Sequence, residues 1–377
     1  MSWAIWITGV PGSGKSVLAR NVAEALAARG LPATVLELDA LRKILTPSPT
    51  YSASEREVVY RALVYLASTL TEAGIPVIID ATAHRRAWRD LGRATISHFA
   101  EVQVTCPLAV CRERERRRAP GNAPQGIYAA AGRPGSTVPG VDVLYEPALN
   151  PELIVDTATE APDVAGARIV RVAIDLARVA GHRPRPPARP AFALWITGLP
   201  GSGKTTLASA VAEALAARGL SARLLALDQL RDFLLAGGPH SSAGEEIAHR
   251  ALVCAAKVLT EAAVPAIIDA TAPRRRWREL ARELIAPYAE IQLICPPEVC
   301  GTRERAGRWT PASWVCAARP TVTRAPDIVL DYEASLNPDL IVHTDLTSVW
   351  SATDEIVKLA HRLQRQRGEP PCTSAIS

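Results

Sequence analysis

At 377 residues the chain is long enough for two or three domains, and 48% hydrophobic content with mixed charge gives a globular protein an ample core. A net charge of +5, with Arg183, Arg185 and Arg189 gathered in one proline-rich stretch, argues against a nucleic-acid partner. No apolar run reaches membrane-spanning length, so no membrane partner is expected. Seven cysteines without a C-x-x-C pair favour neither a disulfide framework nor a zinc site. The start of the chain runs straight into a strand, leaving no room for a signal peptide, and a cytoplasmic protein is expected.

Residues 4–8 form an apolar run predicted as a strand, followed by Gly9, Val10, Pro11, Gly12, Ser13, Gly14, Lys15 and Ser16. This fits G-x-x-x-x-G-K-[ST]. Its glycines let backbone N–H groups converge on a β-phosphate, the Lys reaches the β- and γ-phosphates, and the hydroxyl ligates Mg²⁺. A helical pattern continues to residue 29, and Gly30-Leu31-Pro32 breaks the chain before a second strand over 34–38. Residues 54–73 read as a helix capped by Ser54, with Glu57 three residues on. A third strand over 77–79 ends on Asp80; 85–99 is a basic helix, 102–105 a fourth strand and 108–117 a helix entering a Gly/Pro-rich stretch, 120–140. A short strand over 153–155 and a helix over 164–179 follow. Strands alternating with helices argue for a parallel sheet covered on both faces.

The pattern then recurs. A shift of 189 residues places Trp6 on Trp195, Asp39 on Asp228, Asp80 on Asp269, Cys106 on Cys295 and Cys111 on Cys300; by Tyr145 and Tyr332 the shift is 187. The second phosphate loop is Gly198, Leu199, Pro200, Gly201, Ser202, Gly203, Lys204 and Thr205. A period this long means a duplicated domain, not a solenoid. The expected division is 1–180, a Pro/Arg-rich linker at 181–191, a second domain over 192–367 with a closing helix near 352–366, and a disordered tail at 368–377.

Ligands of such sheets bind at the carboxyl ends of the strands. Asp39 and Asp228 are expected to end the second strand of each copy, where a carboxylate takes the proton from an acceptor hydroxyl or helps hold Mg²⁺; the alternative is a helix cap. Asp80 and Asp269 close buried runs and are metal candidates with Ser16 and Thr205, against a structural role as turn caps. Arg85, Arg86 and Arg89, like Arg274, Arg275 and Arg278, read as a basic helix face that either meets a substrate anion or is solvated. Arg114, matched by Arg303, is the candidate for neutralising charge on a transferring phosphoryl group, with Lys15 and Lys204. Cys106 and Cys111 read as small buried hydrophobes.

These residues resemble the adenylylsulfate (APS) kinase family, whose pattern runs W-x-T-G-x-x-G-x-G-K-S, D-G-D-x-x-R, P-L-x-x-C-x-x-R-D, K-G-L-Y, F-T-G, Y-E-x-P and P-E-L-x-x-D-T. The first copy offers Trp6 to Ser16, Asp39 with Arg42, Pro107 to Glu115, Gly126-Ile127-Tyr128, Tyr145-Glu146-Pro147 and Pro151 to Thr157. The resemblance implies ATP-dependent phosphorylation of the 3′-hydroxyl of adenylylsulfate. It implies Asp39 as base or metal-linked carboxylate, Arg42, Arg56 and Arg61 as contacts to adenylylsulfate, and Ile127 and Tyr128 as part of a lid.

The sequence departs from the family at Glu37-Leu38 for Asp-Gly, Val59 for Asn, Gln125 for the lid Lys, and 137–140, which lacks the aromatic of F-T-G. The second copy has Ala226, Glu245 in place of Arg56, and Thr310 to Trp314 in place of K-G-L-Y. The fold expected is α/β, a duplicated P-loop kinase of the nucleoside-monophosphate-kinase-like type, using ATP and Mg²⁺ on adenylylsulfate or a similar nucleotide. Pairing within the chain or as a homodimer is expected. Residues 78–82 with the Arg-rich helix resemble polynucleotide-kinase-like enzymes, which keeps another hydroxyl acceptor open, and a nucleotide-dependent regulatory or scaffold module is the third reading.

Overall fold

In the computed structural model, residues 1–119, 121–182, 191–236, 241–306 and 332–366 are described. The first copy runs β1 (Ala4–Thr8), α1 (Lys15–Ala27), β2 (Thr34–Glu37), α2 (Leu38–Leu45), α3 (Ala53–Glu72), β3 (Val77–Asp80), α4 (Arg86–Thr95), β4 (Phe99–Thr105), α5 (Leu108–Arg117), α6 (Ile127–Ala130), β5 (Leu153–Asp156) and α7 (Pro162–Val179). The second runs β6 (Ala193–Thr197), α8 (Lys204–Ala217), β7 (Arg223–Ala226), α9 (Leu227–Leu234), α10 (Ser242–Glu261), β8 (Ala266–Asp269), α11 (Arg275–Leu284), β9 (Tyr288–Ile294), α12 (Pro297–Ala306), β10 (Leu340–His343) and α13 (Val349–Gln366).

Each copy builds a five-stranded parallel sheet, in the orders β2-β3-β1-β4-β5 and β7-β8-β6-β9-β10. The fully buried β1 has no alternating pattern, as a strand covered on both faces requires. One face is closed by α1 and α7, through Leu18, Val22, Leu26, Ile169 and Ala173. By contact the chain separates into two compact units, Met1–Pro187 with Leu230–Val258, and Ala188–Gln229 with Leu259–Ser377. Most of the expected linker, the expected disordered tail and the segment Thr310 to Trp314 lie outside the described residues.

Among the boundaries that differ from expectation, three have a clear physical cause. Ser52, not Ser54, caps α3: its hydroxyl accepts from Glu55 N at 3.2 Å, while the Glu55 carboxylate gathers Thr50 N at 2.6 Å and Arg42 at 3.0 Å. Those bonds fix the turn two residues early. The basic helix stops at Thr95, because Phe99 already pairs with Ala4 in the sheet. Strand β2 stops at Glu37, so Asp39 lies in the first turn of α2 instead of at a strand end, where an acid complements the helix dipole.

Arg89 and Arg278 are neither solvated nor substrate-facing. Arg89 is fully buried and bonds Glu101 at 2.5 Å, the Ala83 carbonyl, and the Glu146 carbonyl at 2.6 Å. Arg278 repeats this on Glu290, at 2.7 Å, Ala272 and Glu333. Replacing Arg89 by Met strands a buried carboxylate, so urea unfolding is expected to register a loss of about 3–5 kcal/mol. A loss below about 1 kcal/mol would mean a solvent-like pair.

Candidate active site

The phosphate loop follows from steric necessity as much as from charge. Gly12 has φ +76°, and a Cβ there would overlap the Cys111 carbonyl of α5. Gly14, at φ +96°, caps α1 with no side-chain bond, leaving the first-turn N–H groups of a 13-residue helix to an anion. Buried Ser13 Oγ has no hydrogen-bond partner among the described residues, and Lys15 Nζ donates to the Val10 carbonyl at 3.0 Å.

Around this loop lies a cavity of about 680 Å³. Lys15, Ser16, Asp39, Asp80 and Arg114 line it together with Arg42, Tyr51, Arg56, Tyr60 and His84. Burial pushes both the Asp39 and Asp80 carboxyls up, opposed by the Lys15 ammonium. The Ser16 hydroxyl beside Asp80 pulls that carboxyl back down as well. Burial lowers the Lys15 ammonium, with Asp80 and Asp39 pulling it back. Asp39 belongs to this cluster and makes no capping bond.

Arg114 leaves the end of α5 to bond Thr157 twice, at Oγ1 (3.0 Å) and at the carbonyl (2.7 Å), and Thr157 Oγ1 in turn donates to Ser13 O at 2.8 Å. The guanidinium is thereby held against the loop. Ile127 lines the cavity, and Tyr128 donates to Pro11 O at 2.7 Å, so the short α6 lies over the loop.

The second copy repeats the donor end. Lys204 Nζ donates to Gly198 O and Leu199 O at 3.2 and 2.9 Å, burial raises the Asp269 carboxyl with the Thr205 hydroxyl pulling it back, and Arg303 bonds Thr344 at 3.2 and 2.9 Å. Thr344 closes on Ser202 O at 2.9 Å. Asp228 differs from Asp39 in being exposed.

The sequence profile described as adenylylsulphate kinase matches residues 1–156 and 190–343. The chain belongs to the adenylylsulphate kinase family. It is an ATP-dependent phosphotransferase with a hydroxyl acceptor, present as two copies of one family domain. A probable adenylyl-sulfate kinase of Archaeoglobus fulgidus is 38% identical over 160 residues, 42% of this chain and 97% of the relative. An adenylyl-sulfate kinase of Synechococcus is 37% identical over 158 residues, 41% of this chain and 85% of the relative. The Mycobacterium tuberculosis APS kinase CysC solved with AMPPNP and APS is similar over 45% of this chain and 96% of its own, at 29% identity and TM-score 0.41.

Arg42 and Arg56 stand on the cavity wall of this kinase, but Arg61 does not. It bonds Glu57 at 2.9 Å, one turn away on α3, and Phe233 O at 3.3 Å. Arg56→Ala is therefore expected to raise the acceptor KM about tenfold or more. Arg61→Ala should leave it within about twofold, as for a partly exposed pair; the reverse ranking in steady-state kinetics would contradict the placement.

Sequence reasoning passed over Tyr51 and His84. Tyr51, at φ +54°, sets its ring 4.9 Å from the Arg42 guanidinium and 5.8 Å from that of Arg56. The available signal was an aromatic beside the Ser cap of the helix that carries Arg56. The Trp-x-Thr and Tyr-Glu motifs also gain a physical meaning. Trp6 Nε1 donates to Ala81 O at 3.1 Å, and Thr8 Oγ1 donates to Thr82 O at 2.6 Å and meets Tyr145 Oη at 2.9 Å. They bolt down the loop after β3.

No helix among the described residues is long and apolar enough to cross a membrane.

Proposed function

We propose that the first copy phosphorylates the 3′-hydroxyl of adenylylsulfate and that the second binds ATP without comparable transfer. The observation that carries this is a single cavity holding phosphate-loop groups, two carboxylates and an Arg–Tyr–Arg wall in the first copy. The hydroxyl oxygen bonds to the γ-phosphorus as the γ-phosphorus–bridging-oxygen bond breaks. The hydroxyl proton passes to Asp39, and ADP leaves. Lys15 and Arg114 offset the charge on the transferring oxygens.

Mg²⁺ prefers oxygen ligands, commonly one or two carboxylates besides phosphate and water. The neighbouring Ser16 hydroxyl and Asp80 carboxylate have that donor chemistry, as have Thr205 and Asp269. These residues would hold the ion, which when bound supplies charge neutralisation of the nucleotide phosphates. In the second copy Ala226 and Glu245 replace Glu37 and Arg56, which supports binding without the same acceptor.

The domain division at 181–191, pairing of copies within or between chains, and a cytoplasmic location are part of this proposal. Five free cysteines among the described residues suit a reducing compartment. Light scattering reads the assembly. ADP release that requires adenylylsulfate supports the substrate assignment; release stimulated only by other alcohols, or ATP binding without acceptor-stimulated release, contradicts it.

A further inference from the structure

We propose that His84 is a specificity-determining residue of the acceptor site, donating a hydrogen bond from its imidazole to the anionic sulfate end of the acceptor beside Arg56. The substrate named here rests on the adenylylsulfate assignment.

His84 is 6% exposed, lines the cavity, and neither ring nitrogen has a hydrogen-bond partner among the described residues. Neither nitrogen is sealed from solvent, so the ring edge opens into the cavity and is free to bond a ligand there. Its ring is fixed: the Trp88 ring meets it edge-on at 5.0 Å. Its backbone is fixed too. The preceding Ala83 has φ +40°, a conformation costing of order 1–3 kcal/mol that surrounding contacts must hold. Tyr60 Oη takes the Ala83 N–H at 2.9 Å, Arg89 takes its carbonyl, and the His84 carbonyl accepts from Glu146 N at 2.8 Å. Loops clamped this way hold a side chain in a single position.

The chemistry follows from the surroundings. Burial, then Arg56 and Arg85, lower the imidazole pKa to about 4, against the raising effect of Glu146. Near neutral pH the ring is uncharged, with one N–H donor. Beside the Arg56 guanidinium it adds a directed donor to an oxyanion without adding a second buried charge.

The second copy repeats two of the clamping bonds, has His249 in place of Tyr60, and loses the donor. Ala272 also has φ +40°, Arg278 takes its carbonyl, and Glu333 N donates to the carbonyl of Pro273, which replaces His84, at 2.9 Å. Backbone architecture is shared while the acceptor-facing side chain is not, as expected if that side chain selects the acceptor.

The test uses the full chain. His84→Ala should raise KM for adenylylsulfate about tenfold or more, leave KM for ATP unchanged, and be partly rescued by His84→Asn, which retains an N–H donor. Independently of turnover, the ¹⁵N resonance of the ring N–H, assigned by its loss in His84→Ala, should move on adding inorganic sulfate near neutral pH. An unchanged acceptor KM, equal changes in both KM values, or an unmoved resonance overturns the assignment. Should the wild-type chain release no ADP with adenylylsulfate, the substrate assignment fails alone, and the sulfate response of the resonance decides the role of His84.

Discussion

Asp39→Asn is expected to lower kcat by about 10²–10⁴, the usual contribution of a positioned base, with little change in KM for ATP. The carboxylate stands in the first turn of α2, and Asn keeps that shape while losing the ability to take a proton. Burial raises its pKa above the ordinary 3.8, tempered by Lys15 and then Arg42. The basic form therefore fills only above that raised value, so the acid limb of kcat/KM should lie higher than an ordinary aspartate and vanish in the variant. Linkage sets the sign for stability. A carboxyl that holds its proton more tightly folded than unfolded costs stability as pH rises through the raised pKa. The Asn variant should thus melt at or above the wild-type temperature at neutral pH. A lower Tm, or equal losses in turnover and ATP affinity, would assign Asp39 to structure or metal binding.

Arg114→Ala is expected to cut kcat by about 10³, the lower range for an arginine that stabilises a transferring phosphoryl group. Its side chain is exposed, so its loss should leave Tm nearly unchanged. Its position is nonetheless specified. The planar guanidinium satisfies two acceptors on Thr157, and Thr157 is tied to Ser13 of the phosphate loop. Lysine cannot form that fork, so Arg114→Lys should recover only a small part of the rate. Single-turnover phosphoryl transfer reads this directly. Arg303→Ala, which breaks the matching contact to Thr344, should not change adenylylsulfate turnover if the first copy does the work. A loss with Arg303→Ala equal to that with Arg114→Ala would assign transfer to both copies.

The donor half of the site was legible because its chemistry is local. A phosphate loop is one continuous stretch between a strand and a helix, and Asp80 is fixed by the end of a buried strand. The duplication was legible for the same reason, since it needs only self-comparison. The acceptor half depends on long-range packing. Arg56 and Arg61 both sit on α3, and only the path of that helix decides that Arg56 faces the cavity and Arg61 faces Glu57. Arg89 read as part of a basic helix face, anion-binding or solvated, because nothing in its own segment announces Glu101 twelve residues on and the Glu146 carbonyl beyond. His84 gave no periodic signal. Its proposed role rests on a strained loop held by β1, α3, α4 and the Tyr145-Glu146 segment, contacts that reach it from both sides of the sequence.

The most direct measurement is formation of 3′-phosphoadenylylsulfate from ATP and adenylylsulfate by the full chain carrying Lys204→Ala or Lys15→Ala. A near wild-type rate is expected with Lys204→Ala, and a loss of about 10³ or more with Lys15→Ala, whose ammonium is proposed to contact the nucleotide phosphates. Product formation that survives Lys15→Ala, or that stops with Lys204→Ala alone, would contradict this expectation.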